Sequence, residues 1–173
     1  MHHRILSNIG INSSSVKLPS DLEGIDGLII PGGESTTISL LMDSFKLREP
    51  IKNFSKSKPV MGTCAGLILM ANNVLDKKVI PLSLLDITIK RNAYGKQLDS
   101  TTEMVEFNFN PSLAIKLPAT LIRAPKITKV SKKMNILGEI NGSPIAVLSD
   151  MYLGLSFHPE LNNIDVFHKI LFD

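Results

Sequence analysis

Cys64 is the only cysteine in the 173 residues, and it stands in Pro-Val-Met-Gly-Thr-Cys-Ala-Gly at positions 59–66. A thiol works as a nucleophile through its thiolate, which needs a positive neighbour and a held, reachable position. Residues 59–61 read as the end of a buried strand and 67–71 as the first turns of a helix, with Gly62 and Gly66 permitting a tight bend between them. A side chain at the apex of such a bend is pushed out of the sheet, at a helix N-terminus whose partial positive charge favours a thiolate. That is the mechanics of a nucleophile elbow, with cysteine in the place of serine. The competing reading is a buried cysteine packed as a small hydrophobe. The flanking glycines and the switch from strand to helix favour the nucleophile.

A cysteine nucleophile needs a base, and the base needs a carboxylate to fix its tautomer and stabilise the imidazolium. Ser-Phe-His-Pro-Glu at 156–160 supplies both, just after a predicted strand. Pro159 fixes its own φ and biases His158 towards an extended conformation. In an extended segment residues two apart point the same way, which puts His158 and Glu160 on one side. Alone, His-Pro-Glu reads as a surface turn; beside a cysteine elbow it reads as base and orienting carboxylate. His2 and His3 read as a frayed terminus, and His168 as a solvated or packing residue of the last helix.

Pro-Gly-Gly-Glu-Ser at 31–35 is the third segment. Its glycines let backbone N–H groups turn towards a ligand at the C-terminal edge of a strand, where open α/β sheets bind substrates. The N–H of Gly33 and that of Ala65 can then form an oxyanion hole. A plain turn explains the two glycines equally well. No His/Cys/Asp/Glu cluster has metal-ligand spacing, so no metal is expected.

These residues need a scaffold. Residues 2–9 carry Ile5, Leu6 and Ile9 at helical spacing, with Gly10 as a stop. A short strand is predicted at 14–18, a buried strand at 27–31, and a helix after it carrying Ile38, Leu40, Leu41 and Phe45. A second helix follows at 47–54, then the strand at 59–62 and the helix after Cys64, to about 73. Alternating short buried strands and helices imply a parallel sheet covered on both faces. The second half reads as strands at 86–90, 103–109, 120–123, 136–140, 144–148 and 153–157, with Asn141-Gly142 as a hairpin turn. An amphipathic helix at 164–172 closes the chain.

The length suits one domain with a real core, spanning 1–173. A net charge of +3 from scattered lysines, without a basic run, argues against a nucleic-acid partner. A single cysteine fits a reducing compartment. No apolar run approaches the ~20 residues that cross a bilayer, and the N-terminus lacks the apolar core of a signal peptide. A cytoplasmic protein is expected.

With these segments in hand, the chain resembles the PdxT/SNO family, the glutaminase subunits of pyridoxal 5′-phosphate synthase. These are triad-type class I glutamine amidotransferases. The matching runs are Leu-Ile-Ile-Pro-Gly-Gly-Glu-Ser-Thr-Thr at 28–37, Gly-Thr-Cys-Ala-Gly-Leu at 62–67 and Arg-Asn-Ala-Tyr-Gly-Lys-Gln at 91–97 with Asp99 and Ser100. Ile-Arg-Ala-Pro at 122–125 and Ser-Phe-His-Pro-Glu-Leu at 156–161 complete the set, in family order from about residue 2 to the C-terminus. The elbow and His-Pro-Glu indicate the wider class; the other runs narrow it to this subunit.

The resemblance implies a three-layer, flavodoxin-like α/β fold with a mostly parallel central sheet flanked by helices. It implies hydrolysis of L-glutamine to glutamate and ammonia, with Cys64 as nucleophile, His158 as base and Glu160 orienting it. Gly33, Glu34, Ser35, Arg91, Ile122 and Arg123 match glutamine-binding positions. No metal or cofactor is implied. The implied partner is a (β/α)₈ synthase subunit that receives the ammonia, with twelve copies of each subunit in the assembly. The match enters at the family's first helix, so the family's N-terminal strand and its Gln-Gly loop are expected to be missing, through a late start site or a truncated gene. A catalytically inactive remnant that at most binds the synthase is the alternative; another Cys–His hydrolase of similar fold fits the glutamine-binding matches less well.

Overall fold

The computed structural model describes residues 1–91 and 100–173. The first part of the chain forms α1 (His2–Asn8), β1 (Leu28–Ile30), α2 (Ser35–Ser44), α3 (Arg48–Ser55), β2 (Val60–Thr63) and α4 (Ala65–Met70). Strands β3 (Ala71–Val74), β4 (Leu85–Lys90), β5 (Ser100–Asn110), β6 (Leu113–Ile122) and β7 (Lys126–Val130) follow. β8 (Asn135–Ile140), β9 (Ser143–Ser149), β10 (Tyr152–Leu155) and α5 (Val166–Phe172) close it.

The central sheet runs β1-β2-β10-β9-β8. β2 lies between β1 and β10, parallel to both, while β9 and β8 extend the sheet antiparallel. Because helices or further strands cover both faces, β2 is apolar on both sides rather than alternating. On one face Leu28, Ile30, Val60 and Val147 pack against Met42 of α2, Ile51 of α3 and Leu67 of α4. On the other, Met61, Ala146, Leu153 and Leu155 meet Phe107 of β5, Leu121 of β6 and Phe167 of α5. Phe107, Phe157 and Phe167 bring their ring centres within 5.1–5.4 Å of one another. Fully burying side chains of this size stabilises by about 1.5–3 kcal/mol each, and this cluster ties α5 to the end of β10.

Several elements differ from expectation. The helix after Cys64 stops at Met70, and Ala71–Val74 becomes β3, parallel to β4. Two asparagines and a valine are poor helix formers, and the β4 edge offers them a ladder. β5 and β6 form a long hairpin, so β6 begins at Leu113 rather than near 120. Pro118 argues against a strand there, yet proline is tolerated in a two-stranded ribbon where one edge faces away from the partner. β7, antiparallel to β4, is not among the predicted strands.

No strand forms at 14–18. Among the described residues, the outer edge of β1 carries no paired strand. A groove of about 1160 Å³ lies there, bounded by β1, by residues 11–17, and by apolar side chains including Leu6, Ile38, Met42 and Phe172. A six-residue strand in a packed sheet, roughly 20 Å long, 4.8 Å wide and 10 Å deep, fills about 950 Å³. The groove therefore has about the volume of one strand, and residues 14–18 pair with no strand among the described residues. Among the described residues, no helix is long and apolar enough to cross a membrane.

Candidate active site

Thr63 ends β2 and lies opposite Leu155 of β10, so the chain leaves both parallel strands at the same edge. Cys64 takes the bend between β2 and α4 with φ 50° and ψ −102°. A non-glycine residue in this region is strained, and such strain persists only where the surroundings enforce it. Here they do. The Cys64 N–H donates to the Leu155 carbonyl at 2.8 Å, and the Ile68 N–H donates to the Cys64 carbonyl at 3.3 Å. Gly62 and Gly66 serve close approach rather than unusual dihedrals. A Cβ on Gly66 would run into the Ile30 carbonyl, and one on Gly62 into Gly66 and the Met70 sulfur. The strained residue is the cysteine itself, with its thiol 3.9 Å from the Ile122 carbonyl.

His158 follows β10, and its N–H donates to the Thr120 carbonyl at 2.9 Å. Its φ of −115° and ψ of 85° lead into a 3₁₀ turn at Pro159–Leu161. Glu160 therefore reaches the imidazole by folding back within a turn, not by the alternation of an extended segment. The contact is close: Nδ1 of His158 lies 2.7 Å from Oε1 of Glu160. Gly32 packs against the same ring, in a space that a Cβ would occupy by displacing Cε1.

The electrostatics agree with this geometry. Burial works against the charged form of His158, but hydrogen bonds and charge from Cys64 and Glu160 outweigh it and raise its pKa to about 9. Burial pushes the Glu160 carboxyl up, and the hydrogen bond from His158, joined by His2 when that ring is protonated, draws it lower on balance. An imidazolium between a thiol and a carboxylate can hold a thiolate and deliver a proton to a leaving group.

The loop after β1 places Glu34 at the N-cap of α2, where its carboxylate accepts from the N–H groups of Thr36 at 3.0 Å and Thr37 at 2.6 Å. These bonds hold its pKa down to about 2. Arg91 reaches the same carboxylate through Nη2 at 3.1 Å, and through Nη1 it donates to Asp76 at 2.8 Å and the Thr36 hydroxyl at 3.2 Å. Thus Glu34 and Arg91 meet each other. Gly33 is exposed, Ser35 is buried as the first residue of α2, and Arg123 takes φ 43° beside Ile122. The rest of the Arg-Asn-Ala-Tyr-Gly-Lys-Gln run, with Asp99, lies outside the described residues.

His2 is the site residue that sequence reasoning missed. Its Nε2 is 3.5 Å from Oε2 of Glu160 and 3.5 Å from the Thr63 hydroxyl, and its Nδ1 is 2.9 Å from Nε2 of His168. The signal was present: His2 precedes the buried Ile5 and Leu6 by one helical turn, which turns it to the same face.

The sequence profile of the SNO glutamine amidotransferase family matches residues 1–172. The pyridoxal 5′-phosphate synthase subunit PdxT of Shouchella clausii is 40% identical over 169 residues, covering 97% of this chain and 85% of that protein. Its counterpart from Oenococcus oeni is 42% identical over 168 residues, covering 97% and 86%. A crystal structure of a glutamine amidotransferase superposes with a TM-score of 0.90 at 30% identity, over 98% of this chain and 89% of that one. A glutamine amidotransferase from Thermotoga maritima shares the fold, with a TM-score of 0.61 at 14% identity over 100% and 80%. An open α/β sheet, a cysteine on the bend after β2 and a histidine–carboxylate pair after the neighbouring parallel strand accompany a match over nearly the whole length, and the chain belongs to the SNO glutamine amidotransferase family.

Proposed function

We propose that this chain is the glutaminase subunit of a pyridoxal 5′-phosphate synthase and hydrolyses L-glutamine through Cys64. One observation carries the reading: a lone thiol on a strained bend shares a sheet edge with an imidazole held 2.7 Å from a buried carboxylate. The name borne by the relatives, pyridoxal 5′-phosphate synthase subunit, supports the partner.

In this reaction the Cys64 thiolate adds to the side-chain amide carbon of glutamine, and the carbonyl π pair moves onto oxygen. The N–H groups of Gly33 and Ala65 receive that oxyanion; Ala65 opens α4, so its N–H has no acceptor within the helix. Protonated His158 gives its proton to the leaving nitrogen, the C–N bond breaks, and a γ-glutamyl thioester remains. Neutral His158 then takes a proton from water as the oxygen adds, and the thiolate leaves to release glutamate. Glu160 keeps the imidazole oriented through both halves. Gly33, Glu34, Ser35, Arg91, Ile122 and Arg123 surround the amino-acid end of the substrate. An arginine suits the α-carboxylate and Glu34 the α-ammonium. Ammonia passes to the synthase subunit, in an assembly of twelve copies of each.

The test is glutamine hydrolysis with and without the synthase subunit, alongside Cys64→Ala. Turnover that rises with the synthase and vanishes in Cys64→Ala supports the assignment, and turnover surviving the substitution overturns it. A chain that docks on the synthase without turnover is the second reading, favoured by the open groove beside β1. It is the outcome if no activity appears even with the synthase.

A further inference from the structure

We infer that His2, held by His168, is a positioning residue for the Glu160 carboxylate that orients His158. Glu160 is 7% exposed and has two oxygens to satisfy. Oε1 takes the imidazole of His158 at 2.7 Å, whereas Oε2 is buried without a hydrogen-bond partner among the described residues. Nε2 of His2 lies 3.5 Å from Oε2, just beyond ordinary hydrogen-bonding distance. Nε2 is also 3.5 Å from the hydroxyl of Thr63, the residue before Cys64.

The direction of the chain follows from its ends. A carboxylate oxygen accepts only, so Nε2 of His2 carries the proton and Nδ1 is a lone pair. Nδ1 lies 2.9 Å from Nε2 of His168, which therefore donates to it. That leaves Nδ1 of His168 as a lone pair; the atom is buried and makes no hydrogen bond of good geometry among the described residues, although the Ile164 backbone lies near enough to favour a proton on this ring. An unpartnered lone pair is easier to bury than an unpartnered N–H. Burial, with a smaller push from His2 when that ring is protonated, lowers the pKa of His168 to about 4, and burial also lowers that of His2. Both rings then serve as neutral donors at neutral pH. His168 in turn sits beside Phe167, whose ring packs on Phe157 next to His158. One aromatic contact thus sets the spacing between the two histidine-bearing elements.

This inference rests on the proposed roles of Cys64 and His158, and its test separates the two. His2→Phe removes the donor and keeps a ring; His2→Gln restores an N–H near the position of Nε2. Two quantities are measured: kcat and KM for glutamine in complex with the synthase subunit, and the rate of Cys64 alkylation by iodoacetamide at pH 7. The second needs no turnover, and the chain has no other cysteine. In His2→Phe, kcat falls about tenfold at unchanged KM and alkylation slows several-fold, while His2→Gln recovers both to within about threefold of wild type. Equal loss in both variants, tracking a loss of melting temperature, overturns the inference in favour of simple packing. Unchanged rates in His2→Phe overturn it outright. Should His2→Phe not fold, His168→Leu is read the same way, with a smaller fall in both rates expected and unchanged rates contradicting the inference. A wild type that hydrolyses no glutamine but shows the alkylation pattern removes the proposed activity and leaves the positioning role standing.

Discussion

Thr63 and Leu155 are register partners in the parallel pair of β2 and β10, and that pairing brings Cys64 and His158 together across 94 residues of sequence. Both chains leave the sheet at its C-terminal edge, where one turns through a strained bend and the other through a 3₁₀ turn. The nearness of thiol and imidazole is therefore set by the register of the sheet, not by a flexible loop.

Gly32 gives a first test of that geometry. Its backbone is not in the left-handed region, so alanine is conformationally acceptable there, but the added methyl meets the His158 ring. Gly32→Ala is expected to lower kcat by about 10²-fold, the scale of an ångström's misplacement of a reacting group. The melting temperature should stay close to wild type. A variant with full kcat would mean that the ring has room to spare.

The His158 ring provides a second. An NMR titration of its Cε1 proton should show a midpoint near 9 in the wild-type protein. Cys64→Ala and Glu160→Gln each remove a partner that raises it, so both midpoints fall towards the ordinary value of 6.5. The folded pKa lies above the unfolded one. Its stabilisation is therefore complete below pH 6.5 and lost as the pH rises through about 9. The stability gap between wild type and Cys64→Ala should shrink across that window.

His168 acts with the opposite sign. Its folded pKa of about 4 lies below the ordinary value of 6.5, so the unfolded chain binds the extra proton between those limits. Stability should fall as the pH drops from 6.5 through 4. Thermal melts at several pH values, compared with His168→Gln, check this. The variant should have a flatter profile over the same range, and an identical slope would contradict the buried neutral imidazole.

The parts of the site that were legible in the sequence are those fixed by local chemistry. Glycines on both sides of Cys64, a proline after His158 and Gly-Gly after an apolar strand each restrict the backbone within a few residues. Their strand-to-turn settings follow from that restriction. The expected mechanism of the His158–Glu160 contact differs from the one found, since a 3₁₀ turn replaces extended alternation. What was not legible depends on distant partners. Ala71–Val74 leaves the helix because β4 offers a parallel edge, and Pro118 sits in β6 because a two-stranded ribbon tolerates it. Residues 14–18 form no strand, and together with β1 they border an open groove. His2 reads as a frayed end, although its register with Ile5 and Leu6 already faces it inward; the Glu160 it approaches is 158 residues away.

The central claim is that Cys64 is the nucleophile towards the glutamine side chain. The most direct measurement is the intact mass of the chain, in complex with the synthase subunit, after exposure to a glutamine analogue carrying a chloroketone in place of its amide. One adduct per chain is predicted, placed on Cys64 by peptide mapping, slowed by excess glutamine and absent in Cys64→Ala. An adduct on another residue, or labelling of Cys64 that glutamine does not slow, would contradict the account.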